Sequence, residues 1–140
     1  MYEYACKVER VVDGDTVDVV LDLGFDILYK CRVRLYGIDT PESRTRNLDE
    51  KARGKMASAF LKEAVENGSK VVIETKLKDS RGKYGRVLGN VVVDGLNINE
   101  AMIEKFLAVA YFGQSKNDVE EEHLVNRQKL IELGEFEPVT

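Results

Sequence analysis

The sequence predicts an α+β domain built as a five-stranded β-barrel carrying three α-helices. Three observations predict it. Five runs are rich in β-branched residues or alternate apolar with polar side chains. Three further stretches repeat apolar residues at helical spacing. Three of the five strands precede the first helix, and short strands left with open edges invite aggregation, so a closed OB-type order is expected.

The elements follow from local chemistry. Residues 4–12 set Val8, Val11 and Val12 among Lys7, Glu9 and Arg10, a first strand that ends at Asp13-Gly14-Asp15. Asp-Gly is a hairpin turn, and TVDVVL at 16–21 resumes as the second strand. Leu23-Gly24-Phe25 marks a wider turn before a third strand begins at Lys30. Residues 43–55 carry Arg44, Arg46, Lys51, Arg53 and Lys55 with little apolar content, and read as an exposed loop running into a helix. From Ala52 or Met56 to Asn67 two apolar rows, Met56, Phe60, Ala64 and Ala57, Leu61, Val65, define that helix, and Gly68 stops it. KVVIET at 70–75 and the run at 87–93 are the last two strands, flanking a cationic hairpin tip at 76–86. A short helix spans 97–106, VAYF at 109–112 reads as core, and a third helix begins at Asp118, which forms a capping box with Glu121, and ends at Gly134.

The chemistry concentrates in residues 32–42, RVRLYGIDTPE. Arg32, Arg34 and Tyr36 alternate with Val33 and Leu35, so one set faces a core and the other faces out. Pro41 holds Thr40 extended, which places Asp39, Thr40 and Glu42 on a constrained loop just past a strand end. Guanidinium forks suit phosphate oxygens, and carboxylates with a free carbonyl suit a hard divalent cation. A surface salt-bridge patch would use the same residue types. Asp15 by itself reads as a turn former, and His123, without Cys or His neighbours, as an ordinary helix residue.

Composition sets bounds. The 140 residues and 44% hydrophobic content fit one domain, 1–140, with a real core. No apolar run reaches membrane-spanning length, and MYEYACKVER has no signal-peptide core, so a cytoplasmic chain is expected. Cys6 and Cys31 have no metal spacing and read as reduced thiols. The net charge of -4 and pI of about 5.2 exclude a generic basic nucleic-acid binder. The charge is segregated, however: residues 30–90 hold 15 Lys and Arg against 8 Asp and Glu, which permits a local basic face on an acidic protein.

Taken together, VVDGDTVDV (11–19), LGF (23–25), RVRLYGIDTPE (32–42), ASAFLKE (57–63), KYGR (83–86), DGLNINEAM (94–102) and LAVAYF (107–112) resemble the staphylococcal nuclease (thermonuclease) family over nearly the whole chain. The resemblance implies an OB-fold barrel with three helices that hydrolyses DNA and RNA with Ca²⁺ and leaves 3′-phosphate ends. It implies Asp15, Asp39 and the Thr40 carbonyl as calcium ligands, Glu42 as general base, and Arg34 and Arg86 on the scissile phosphate. Lys83 and Tyr84 would meet a neighbouring phosphate and Tyr111 the nucleotide, although the spacing slips by about one residue at Tyr111. Phe106 stands where that family commonly has a glycine at a helix end, and no second aromatic clearly accompanies Tyr111. A monomer is expected. A non-catalytic nucleic-acid- or protein-binding module on the same barrel, and a structural partner docking through its acidic C-terminal helix, are the other readings.

Overall fold

A computed structural model describes residues 2–75 and 87–139, and the hairpin tip expected at 76–86 lies outside them. Strand β1 (Tyr2–Asp13) turns at Gly14-Asp15 into β2 (Thr16–Asp22), and the antiparallel register sets Val11 opposite Val17 and Asp13 opposite Thr16. The wider turn at 23–27 leads to β3 (Leu28–Leu35), antiparallel to β2. On the far side of β1 lies β5 (Val71–Thr75), and β6 (Val87–Val93) pairs with β5. A parallel pairing of Val33 with Val87 and Leu35 with Gly89 joins β3 to β6 and closes the five strands into a barrel. Three helices complete the expected α+β, OB-type architecture: α1 (Leu48–Asn67), α2 (Ile98–Glu104) and α3 (Lys116–Glu132).

Alternation explains the core. In β2, Val17, Val19 and Leu21 point inward, and in β3 Val33 and Leu35 do the same. Ile73, Val87, Val91 and Val93 complete the barrel lining, while Ala57 and Leu61 of α1 and Ile98 and Met102 of α2 plug its ends. Cys6 and Cys31 form no disulfide, and burial followed by the neighbouring Cys31 pushes the Cys6 thiol up to about 11, so it stays protonated at neutral pH. Among the described residues, no helix is long and apolar enough to cross a membrane.

Several local expectations change. Helix α1 begins four residues before Ala52, because the Asn47 side chain accepts the Glu50 N–H and caps it. Lys51, Arg53 and Lys55 therefore sit on a helix rather than a loop, and Arg53 is buried. Helix α3 is capped by Ser115, whose hydroxyl accepts the Asp118 N–H, and not by Asp118. Three short strands escape sequence pattern altogether: β4 (Ile38–Asp39) pairs with β8 (Val109–Ala110), and β7 (Leu96–Asn97) extends the edge of β6. VAYF is divided, with Val109 buried but Tyr111 and Phe112 exposed. At Phe106 the chain takes φ 62°, the left-handed conformation that a glycine enters without strain and that costs other residues about 1–2 kcal/mol.

Buried Asn99 pins α2 to the barrel. Its Oδ1 accepts the Val91 N–H, and its Nδ2 lies 2.9 Å from the Tyr36 carbonyl and 3.0 Å from Asn90 Oδ1. Asn99→Ala orphans at least one buried N–H and one carbonyl, and the expected cost is about 2–4 kcal/mol, read as a lower urea midpoint with unchanged m-value.

A second polar node holds the helices together. Asp49 Oδ1 accepts from Arg53 Nε and Arg127 Nε, each at 3.0 Å, and Oδ2 accepts the Val139 N–H. Burial opposes the ionised form of Asp49, but the bonds from Arg127, Arg53 and Val139 outweigh it and hold the carboxyl below its usual pKa. A carboxylate depressed on folding contributes stability above its unfolded pKa and loses it as pH falls through the folded value. Asp49→Asn is therefore expected to cost about 2 kcal/mol at neutral pH, with the gap to the parent closing as the medium is acidified below about pH 4. Denaturant titrations at several pH values check this.

Candidate active site

The register of β2 and β3 decides which arginine is available. Asp18 stands opposite Arg32 and accepts from its Nε at 2.8 Å and its Nη2 at 3.2 Å, an exposed fork that consumes Arg32 at the surface. Arg34, opposite Thr16, turns elsewhere. Its Nη1 donates to the Leu35 carbonyl at 2.8 Å, which fixes the guanidinium, and Nη2 lies 3.5 Å from Asp15 Oδ2 and 3.6 Å from Asp39 Oδ1. Two carboxylates, one from the β1–β2 turn and one from β4, thus converge on one nitrogen.

Each carboxylate has its own support. Asp15 Oδ1 accepts from the Thr16 hydroxyl and Oδ2 from the Thr40 N–H, while the Asp15 carbonyl accepts the Leu35 N–H at 2.8 Å. The Asp39 backbone pairs with Val109 of β8, and its Oδ2 lies 2.8 Å from His123 Nε2 on α3. Asp39 is therefore held on a strand, not on a free loop. His123 is more than the ordinary helix residue expected, since it reaches the candidate site directly.

Helix α1 positions the next two residues. A Cβ on Gly54 would stand 2.6 Å from the Pro41 carbonyl oxygen and 2.7 Å from that of Glu42, so only glycine lets this loop lie against the helix. Thr40 is buried there and Glu42 remains exposed. Loss of part of its hydration, then repulsion from Asp15, Asp13, Asp39 and Glu50, raises the Glu42 pKa above the ordinary glutamate value. The loop carries an excess of negative potential that the Arg34 guanidinium does not cancel.

Arg34, Asp39, Thr40, Glu42, Tyr111 and His123 line one cleft of about 740 Å³. Asp15 meets it through Arg34 and Thr40 rather than lining it. Tyr111 is anchored by its N–H on the Gly37 carbonyl at 2.8 Å, and Phe112 beside it is 78% exposed and also lines the cleft. Lys83, Tyr84 and Arg86 lie outside the described residues. Among the described residues no three His, Cys, Asp or Glu side chains gather to hold a metal by themselves. Two carboxylates, with no thiolate beside them among the described residues, nevertheless suit a hard divalent cation whose remaining positions fall to a carbonyl and water.

A family model for staphylococcal nuclease homologues matches residues 32–130. The SPbeta prophage-derived endonuclease YokF of Bacillus subtilis is 40% identical over 104 residues, covering 74% of this chain and 33% of that protein. Endonuclease YncB of the same organism is 38% identical, over 74% of this chain and 46% of its own length. The thermonuclease of Staphylococcus intermedius is 38% identical over 105 residues, covering 75% of this chain and 58% of that one. The chain thus spans from a third to rather more than half of these relatives. The matched segment contains Arg34, Asp39, Thr40, Glu42 and the β4–β8 and α3 elements that arrange them, and the chain belongs to the staphylococcal nuclease homologue family.

Proposed function

We propose that this chain is a calcium-dependent nuclease, a single domain over 1–140, that hydrolyses phosphodiester bonds of DNA or RNA and leaves 3′-phosphate ends. The observation that carries the reading is the convergence of Asp15 and Asp39 on Arg34, at a cleft that Arg34, Asp39 and Glu42 line. The names borne by its relatives, two endonucleases and a thermonuclease, support the same class of reaction.

Asp15, Asp39 and the Thr40 carbonyl would hold Ca²⁺, which when bound offsets charge on a phosphate oxygen. Glu42 takes a proton from the attacking water. The water oxygen bonds to phosphorus, the bond to the 5′ oxygen breaks, and that oxygen takes a proton from solvent. Negative charge grows on the phosphoryl oxygens as this happens, so guanidinium groups aimed at them favour the transition state over the bound substrate. Arg34 fills that role, already oriented by the Leu35 carbonyl, and Arg86 is its assigned partner. Lys83 and Tyr84 are assigned to the neighbouring phosphate and Tyr111 to a nucleotide face.

Labelled single- and double-stranded DNA and RNA, incubated with calcium, magnesium or chelator and followed by end mapping, test the reading. Chelation is expected to abolish cleavage, and Asp15→Ala to weaken Ca²⁺ binding while the fold persists. Undiminished cleavage in chelator would sink the calcium assignment.

Glu42→Gln keeps shape and loses basicity, so turnover is expected to fall by about 10²–10⁴ with substrate affinity close to the parent. Arg34→Lys keeps charge but loses the fork, and much of the rate is expected to go with it. Parental rates in both variants would leave a binding module as the better account.

A further inference from the structure

Asp39 is the less buried of the two convergent carboxylates, with 31% of its side chain exposed against 14% for Asp15. Asp15 accepts from the adjacent Thr16 hydroxyl and from the Thr40 N–H. Among the described residues, the side-chain partners of the Asp39 carboxylate are Arg34, at the longer distance of 3.6 Å, and His123, 84 residues away on α3. The imidazole side chain is only 12% exposed. An ionised carboxylate can only accept, so Nε2 carries the proton and donates it to Oδ2.

Helix α3 is latched so that His123 falls over Asp39. One turn along from His123, Asn126 Nδ2 donates to the Ala108 carbonyl at 3.1 Å, and the next residue, Val109, is the strand partner of Asp39. One residue before it, Glu122 accepts from Gln114, whose amide also donates to the Ala110 carbonyl at 2.8 Å. The His123 carbonyl itself accepts from Arg53 Nη1 of α1 at 3.5 Å. Bonds on both sides of His123 thus tie α3 to the strand that pairs with the Asp39 backbone. Among the described residues, His123 Nδ1 is buried with no hydrogen-bond partner, and the ring's polar contact is with Asp39.

We infer that His123 is a positioning residue for the cation site: it fixes the Asp39 carboxylate in the orientation that faces Asp15, and so couples the docking of α3 to cation affinity. The inference rests on the assignment of Asp15 and Asp39 as calcium ligands. Hydrogen bonds to a ligating carboxylate commonly change affinity by about 10–100-fold.

Calorimetric Ca²⁺ titration of the parent, His123→Leu and His123→Gln tests it, with thermal unfolding of the calcium-free proteins alongside. His123→Leu is expected to bind Ca²⁺ about 10–100-fold more weakly, and to need correspondingly more Ca²⁺ for half-maximal cleavage while the rate at saturating Ca²⁺ recovers. His123→Gln restores an N–H at the distance of Nε2 and is expected to recover most of the affinity, whatever its melting temperature. Equal Ca²⁺ affinity in the parent and His123→Leu overturns the inference and leaves the calcium reading intact. Equal losses in both variants, or losses that follow the melting temperatures, also overturn it and assign His123 to helix docking only. A parent that binds no Ca²⁺ overturns the calcium reading and this inference with it.

Discussion

The placement of the Arg34 guanidinium between Asp15 and Asp39 is the constraint on which the rest of the site depends. Two carboxylates aimed at one point repel, and a partly buried position makes that repulsion worse. Arg34 makes the arrangement tolerable, and it can do so because its other branch is tied to the Leu35 carbonyl. The cation on β3 meets one anion from the β1–β2 turn and one from β4, elements that the tertiary fold brings together. Barrel closure through the parallel β3–β6 pairing fixes the Arg34 segment, since Arg34 itself stands opposite Leu88 in that register. The site is therefore a product of closure and not of any one loop.

Around this pair the structure divides its labour. Thr16 and Thr40 secure Asp15, the β4–β8 pairing secures the Asp39 backbone, and Gly54 allows the Pro41–Glu42 backbone to rest on α1. Among the described residues, the causes that raise the Glu42 pKa are desolvation and four other carboxylates.

The polar networks away from the cleft serve a different end. Asn99 and Asn90 satisfy backbone groups at the junction of α2 and β6, and Asp49 draws two arginines from α1 and α3 together with the Val139 amide. Both nodes hold helices at fixed positions on a small barrel whose apolar contacts with them are limited. Helix α3 has only Val119 and Leu130 fully buried, so its register over β8 rests heavily on polar contacts. The position of His123 inherits that register.

Much of this protein was determined by the sequence alone, because it depends on neighbours in the chain. Alternation in β2 and β3, the hairpin turn after Asp13, the apolar rows of α1 and the stop at Gly134 are local effects, and each appears in the structure, the turn itself falling on Gly14-Asp15. So is the crowding of Arg34, Asp39, Thr40 and Glu42 into nine residues, which marked the region before any fold was known. Helix starts were misplaced because Asn47 and Ser115 cap through one side-chain bond each, a signal that charged first-turn residues masked. What only the tertiary structure decided is long-range: that Asp18 claims Arg32 while Arg34 turns to Asp15 and Asp39, that two-residue strands β4 and β8 find each other, and that His123 meets Asp39. None of these has a local period or spacing. Each arises because barrel closure and helix docking bring together groups far apart in the chain, whose pairing is favourable only once the intervening core is buried.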